Sequence, residues 1–64
     1  MNNITFWPEI LNAKDLSRIF RISLSHAYQL LNRADFPTLH MGGRKFVTRE
    51  NLLRWMDENT QKVS

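Results

Sequence analysis

The chain has 64 residues, no cysteine and a formal net charge of +3. A chain of this length supports one small hydrophobic core, so we expect a single domain over residues 1–64 with an ordered core at about 6–59. The lack of cysteine excludes disulfides and thiolate zinc sites. No apolar run is long enough for a signal peptide or a membrane span, so we expect a soluble cytoplasmic protein without a membrane partner.

The N-terminal part predicts a short extended segment followed by a capped helix. Phe6 and Trp7 precede Pro8, and the residue before proline favours extended backbone, so we expect both rings to cover the core as a lid. The first predicted helix begins after Asn12, a favourable N-cap, and Asp15 places a negative charge at its positive end. Its apolar side has helical spacing and consists of Ala13, Leu16, Ile19 and Phe20.

The second predicted helix, "LSHAYQLLNR", begins after Ser23, another favourable cap. Its apolar side contains Leu24, Ala27, Leu30 and Leu31, with Tyr28 at the margin. The opposite face has hydrogen-bonding groups and one cation but no carboxylate, namely Ser25, His26, Gln29, Asn32 and Arg33. A face that is merely solvated usually mixes acidic with basic residues, so this composition indicates contact with a partner.

The segment "TLHMGGRKFV" predicts a β-hairpin, because adjacent glycines accept the positive φ angles of a tight turn. A two-residue loop would place Leu39 opposite Phe46, whereas a three-residue loop would place Leu39 opposite Val47. In both registers the tip of the hairpin is narrow and cationic and consists of Gly42, Gly43, Arg44 and Lys45.

The last predicted helix begins after Thr48, carries Glu50 in its first turn and ends near Asn59. Its apolar arc should pack under the hairpin through Leu52, Leu53, Trp55 and Met56. The order of helix, tight turn, helix, hairpin and helix predicts an α+β, mostly helical fold. This fold is a winged helix-turn-helix, with a two-stranded hairpin as the wing and a C-terminal helix.

The pattern of charge and polar groups indicates DNA as the partner. Residues 16–49 contain six basic residues and one acidic residue, a net charge of +5, whereas the segments on either side are each −1. Such an excess favours a polyanion-binding surface. The alternative is an ordinary solvated surface that happens to lack acidic residues. The second helix of a helix-turn-helix enters the major groove, where amides pair with adenine and arginine pairs with guanine. We therefore expect base contacts from Ser25, His26, Gln29, Asn32 and Arg33, and backbone or minor-groove contacts from the hairpin wing.

Two longer segments, "LNAKDLSRIFRISLSHAYQLL" and "FPTLHMGGRKFVTRENLLRWM", resemble the small excisionase-type proteins of phages and integrative elements. The winged helix-turn-helix of those proteins is similar to the DNA-binding domain of the MerR regulators. The resemblance implies double-stranded DNA binding without catalysis. An excisionase binds and bends DNA near the end of a mobile element and helps an integrase to excise it.

Carried over by position, the resemblance implies base contacts from Ser25, His26 and Gln29 and phosphate contacts from Ser23 and Tyr28. The full set of expected backbone contacts is Arg18, Arg21, Ser23, Tyr28 and Arg49. The family commonly has glycine where this chain has Arg21, so the turn is strained if φ is positive there. Position 24 is often polar in the family, whereas Leu24 is expected to pack partly against the core.

Three functions are compatible with these features: an excisionase, a small transcriptional regulator of a phage or mobile element, and a protein-interaction module for an acidic partner. The excisionase reading implies an integrase, and neighbouring copies on tandem sites, as protein partners. His26 and His40 lack the accompanying ligands of a metal site, and no pattern indicates an activated nucleophile. We therefore expect no metal, no cofactor, no small-molecule ligand and no enzymatic activity.

Overall fold

A computed structural model describes residues 7–60 as three helices packed on a small antiparallel sheet. The elements in chain order are β1 (Ile10–Leu11), α1 (Ala13–Phe20), α2 (Leu24–Leu31), β2 (Leu39–Met41), β3 (Arg44–Thr48) and α3 (Arg49–Glu58). The helix-turn-helix, the hairpin and the final helix follow one another as predicted. The winged helix-turn-helix fold is therefore confirmed.

The sheet contains one strand that the sequence did not reveal. β1 pairs antiparallel with β3, with Ile10 opposite Thr48 and Leu11 opposite Val47, which gives the strand order β1-β3-β2. A strand of two residues is too short to show an alternating pattern. Its position is set by tertiary contacts, because the Leu11 side chain is completely buried. The base of the hairpin is thus a three-stranded sheet.

The hairpin has the two-residue loop, so the three-residue alternative is wrong. Leu39 lies opposite Phe46 in the register of β2 and β3. The φ angles of Gly42 and Gly43 are 56° and 78°. Two consecutive positive φ angles define the type I′ turn, whose twist matches that of the flanking strands. Glycine accepts this conformation without the steric penalty of a Cβ atom.

Side chains at the predicted cap positions fix the start of each helix. The Asp15 amide donates to Asn12 Oδ1 at 2.9 Å, and the Asn12 amide donates to Asp15 Oδ2 at 3.0 Å, which completes a capping box. The Ser23 hydroxyl accepts from the His26 amide at 3.1 Å, and Thr48 caps α3 in the same way. These bonds satisfy amides that have no partner within the helix.

The core consists of hydrophobic side chains from every element except β2. Its buried members are Leu11, Ala13, Leu16, Ala27, Leu31, Phe36, Val47 and Leu52, and no polar or charged residue in 7–60 is buried. The half-buried Trp7 packs against this cluster, as predicted, whereas Phe6 lies outside the described residues. Trp55 meets Phe36 edge to face, with ring centroids 4.9 Å apart. Leu24 remains 40% exposed.

The turn between α1 and α2 is held by Ser17, a residue for which the sequence analysis predicted no role. The Ser17 carbonyl accepts from the amides of Arg21 and Ile22, and the Ser17 hydroxyl donates to the Ile22 carbonyl at 2.7 Å. Arg21 itself has φ 56° and ψ 45°, which is the left-handed region. The φ angle at this position is therefore positive, which is the condition for strain at a residue other than glycine.

Replacing Arg21 with glycine should stabilise the domain. A side chain in the left-handed region costs about 1 kcal/mol relative to glycine, and the greater freedom of glycine in the unfolded chain offsets part of this gain. We expect the free energy of unfolding to rise by up to about 1 kcal/mol, measured by urea denaturation. Arg21→Ala keeps the Cβ atom and is the control. A less stable glycine variant would show that the exposed Arg21 side chain makes a stabilising contact.

The helices of the described region are all short. The longest of them, α3, has 10 residues, and none of the helices in residues 7–60 has the length and apolar character that crossing a membrane requires.

Candidate nucleic-acid interface

The exposed face of α2 offers three polar side chains that are not engaged within residues 7–60. Ser25, His26 and Gln29 are exposed, and none of their side chains forms a hydrogen bond to another described residue. The first turn of α2 contains no acidic residue. A helix of 8 residues is about 12 Å long, comparable to the width of the DNA major groove. The face therefore presents donors and acceptors without a charge that would repel DNA.

α2 ends two residues earlier than the sequence predicted. Its last helical residue is Leu31, and Asn32 forms the C-cap. The Thr38 hydroxyl donates to the Leu31 carbonyl at 2.6 Å, which supplies the partner that a further helical turn would have given. Asn32 and Arg33 consequently lie beyond the helix rather than on its exposed face.

Both of these residues are bonded within the protein. The Lys45 ammonium donates a hydrogen bond to Asn32 Oδ1, which links the wing to the end of α2. The Arg33 guanidinium donates to the two carboxylate oxygens of Asp35 at 2.8 and 2.7 Å. Hydrogen bonds from Arg33 hold the pKa of the Asp35 carboxyl below its ordinary value. A bidentate contact of either residue with a base would compete with these bonds.

The wing tip is narrow and cationic, as predicted. Arg44 and Lys45 follow the turn directly and are exposed. A Cβ atom added at Gly42 or Gly43 would meet no atom within 4 Å. The two glycines are therefore required by their backbone conformation and not by crowding within the domain.

The predicted backbone contacts occupy different surroundings. Arg18 and Arg21 are exposed at the end of α1 and in the turn, and the hydroxyl of Ser23 serves as an N-cap. Arg49 is half-buried, and its side chain donates from Nη1 to the Trp7 carbonyl at 2.7 Å. The Arg49 amide also donates to the carbonyl of Glu9 at 2.8 Å. Arg49 thus ties the N-terminal segment to the start of α3, which local sequence patterns could not reveal.

A groove lies between the wing and α2, and residues at the start of α1 also line it. The groove has a volume of about 610 Å³ and is lined by Asn12, Ala13, Lys14, Tyr28, Asn32, Gly43, Arg44, Lys45 and Phe46. Tyr28, expected to contact phosphate, is 53% exposed. Lys14 was not among the predicted site residues, because only the tertiary fold brings α1 close to the wing. The groove contains three cations and no carboxylate in its lining.

The described residues contain no cluster of histidine and carboxylate side chains that could hold a metal ion. The exposed surface around α2 and the wing instead combines cations with neutral hydrogen-bonding groups. This composition matches the needs of a nucleic-acid ligand, whose phosphates attract cations and whose base edges accept and donate hydrogen bonds.

The comparison with protein families agrees with this geometry. A family model described as "Helix-turn-helix domain" matches residues 10–60, which include every element from β1 to α3. No curated protein and no solved structure matches the chain. The match covers well over half of the 64 residues. The chain therefore belongs to the helix-turn-helix domain family and is a DNA-binding protein.

Proposed function

We propose that this protein is an excisionase: it binds a specific double-stranded DNA sequence near the end of a mobile element, bends the DNA and assists an integrase without catalysing a reaction itself. The observation that carries the proposal is the placement of the exposed polar face of α2 beside a cationic wing. The hydrogen bond between Lys45 and Asn32 joins these two parts. The resemblance to excisionase-type proteins supports the role in recombination.

In this proposal, α2 lies in the major groove and three side chains read base edges. Ser25, His26 and Gln29 are suited to this because they are exposed and unbonded within residues 7–60. Asn32 and Arg33 are less suited, since a bidentate base contact would compete with the bonds that each already forms in the protein. Phosphate contacts come from the exposed cations on either side of α2, namely Arg18, Arg21, Arg44 and Lys45, together with Ser23 and Tyr28.

A single domain of this size reads only a short sequence. An α2 of about 12 Å covers on the order of four base pairs, at 3.4 Å for each step along the strand. Recognition of one place in a genome needs a longer site, so we propose that neighbouring copies bind tandem sites and that the integrase contributes further contacts.

The proposal is tested by selecting bound fragments from sheared DNA of the source organism at about physiological salt, where screening suppresses non-specific binding. We expect enrichment of repeated sequences beside an integrase attachment site. Enrichment at a promoter would instead identify a transcriptional regulator that uses the same surface. Fragments recovered without any sequence preference would contradict sequence-specific binding and favour the interaction module for an acidic partner.

Replacing Gln29 with alanine should relax the preference for particular bases. The carboxamide can form two hydrogen bonds with adenine, and one such pair contributes about 1–3 kcal/mol of discrimination. We expect the affinity for the selected site to fall by about fivefold to 150-fold, with no change in affinity for unrelated duplexes. Binding is measured on the selected duplex and on versions with one base pair changed. An equal loss on all duplexes would show that Gln29 does not read a base.

A further inference from the structure

The groove between the wing and α2 is also lined by a cation, Lys14, that belongs to neither of them. Lys14 in the first turn of α1 lines the groove together with Arg44 and Lys45, although it precedes Arg44 by 30 residues in the chain. We propose that this groove binds phosphates of the DNA backbone and that Lys14 makes a contact separate from the wing. The inference rests on the proposed DNA binding and extends the interface to α1.

The charges around the groove favour an anion. Within residues 7–60, neither of the ion pairs, Arg33–Asp35 and Arg54–Glu50, uses a cation of the groove. Lys45 donates to the neutral amide of Asn32, so its positive charge is not balanced by a carboxylate. An incoming phosphate would therefore meet three positive charges without displacing an ion pair.

The acidic residue next to Lys14 does not face the groove. The Asp15 carboxylate accepts the Asn12 amide at 3.0 Å as part of the capping box, and Asp15 is absent from the lining. The same capping box occupies the amide of Asp15 itself. The phosphate contact is assigned to the Lys14 side chain, because this side chain adds a positive charge to the lining of the groove.

The neutral groups of the groove suit the same ligand. Tyr28 and Asn32 line it from α2 and its C-cap, and both side chains can donate hydrogen bonds to phosphate oxygens. The volume of about 610 Å³ is many times the roughly 30 Å³ that one water molecule occupies in the liquid. The groove can therefore hold a phosphate together with bridging water.

The test compares two variants that each lose one positive charge. Lys14→Gln keeps most of the side-chain stem, whereas Arg54→Ala removes an exposed cation of α3 that is paired with Glu50. Binding of a 20-base-pair duplex of arbitrary sequence is measured over a range of salt concentrations. For Lys14→Gln we expect the slope of log affinity against log salt to fall by about 0.9, as for one lost phosphate contact. For Arg54→Ala we expect no change in slope.

The outcomes separate this inference from the proposed function. Suppose that Lys14→Gln and Arg54→Ala have equal salt slopes while the wild-type protein still binds the duplex. This result would overturn only the phosphate contact of Lys14 and would leave the proposed function intact. Failure of the wild-type protein to bind any duplex would overturn both. Circular dichroism of each variant confirms that the fold is retained, and the preference for the selected sequence should be unchanged in Lys14→Gln, because phosphate contacts carry no base information.

A free anion could present the same chemistry as the DNA backbone. Inorganic phosphate is therefore titrated into the wild-type protein while the amide resonances of residues lining the groove are followed by NMR. We expect no saturation at about 10 mM phosphate, because a single anion lacks the linked phosphates of a polymer. Saturable binding of phosphate, combined with an unchanged salt slope in Lys14→Gln, would identify a small-anion site and overturn the proposal.

Discussion

Simultaneous replacement of Arg44 and Lys45 by alanine is expected to weaken binding to every duplex by at least about tenfold at physiological salt, and to lower the salt slope by about 1.8. The reason is that both cations are exposed at the wing tip, where each can neutralise one phosphate and release its counterion. Since phosphate contacts carry no base information, the ratio of affinities for the selected site and an altered site should stay constant. Fluorescence anisotropy at several salt concentrations measures both quantities.

The single variant Arg44→Ala separates two effects of the wing. Lys45→Ala also removes the hydrogen bond to Asn32, so the double variant could shift the wing relative to α2, whereas Arg44→Ala removes charge alone. We expect Arg44→Ala to lower the salt slope by about 0.9. A double variant with wild-type affinity and wild-type salt slope would show that the wing does not touch DNA.

Replacing Gly42 and Gly43 together by alanine is expected to lower the free energy of unfolding by about 2–3 kcal/mol, because each alanine must adopt a positive φ angle. A domain of 64 residues has a total stability of roughly 3–10 kcal/mol, so this loss is large. Denaturation by urea, followed by circular dichroism, measures it.

The matched control is Gly42→Asn, since asparagine tolerates the left-handed region better than alanine does. No atom lies within 4 Å of a Cβ added at Gly42, so neither asparagine nor alanine meets a steric clash at Cβ. We expect Gly42→Asn to lose less stability than Gly42→Ala. Equal stability of the double alanine variant and the wild type would contradict the type I′ turn.

The sequence predicted those features that depend on neighbouring residues. Asn12, Ser23 and Thr48 mark the starts of the helices because a cap acts on amides two or three positions away. The two glycines mark the hairpin for an equally local reason, the φ angles of a tight turn. The register, left open between two loop lengths, required the pairing of Leu39 with Phe46 to be seen.

The features that the sequence did not predict depend on contacts between distant parts of the chain. β1 is a strand only because β3 lies beside it. The Leu31 carbonyl at the end of α2 accepts a hydrogen bond from the Thr38 hydroxyl, and the hydrogen bond from Arg49 to the Trp7 carbonyl spans 42 positions. Lys14 likewise enters the groove only through the packing of α1. Local patterns contain no information about such distances, so the sequence placed Asn32 and Arg33 on the face of α2, although both lie beyond its last residue, Leu31.

The pairing of β1 with β3 has a consequence for how the domain folds. Each helix can form from contacts within about ten residues, on a timescale of about a microsecond. The bonds of Arg49 to Trp7 and Glu9, in contrast, close a loop of roughly forty residues. The entropy cost of closing a loop grows with the logarithm of its length. Assembly of the three-stranded sheet therefore belongs to the late part of folding. A chain emerging from the ribosome would hold a nascent helix-turn-helix before it could hold a wing, since β3 is synthesised after α2. The described fold is complete only when β1, its first element, has paired with β3.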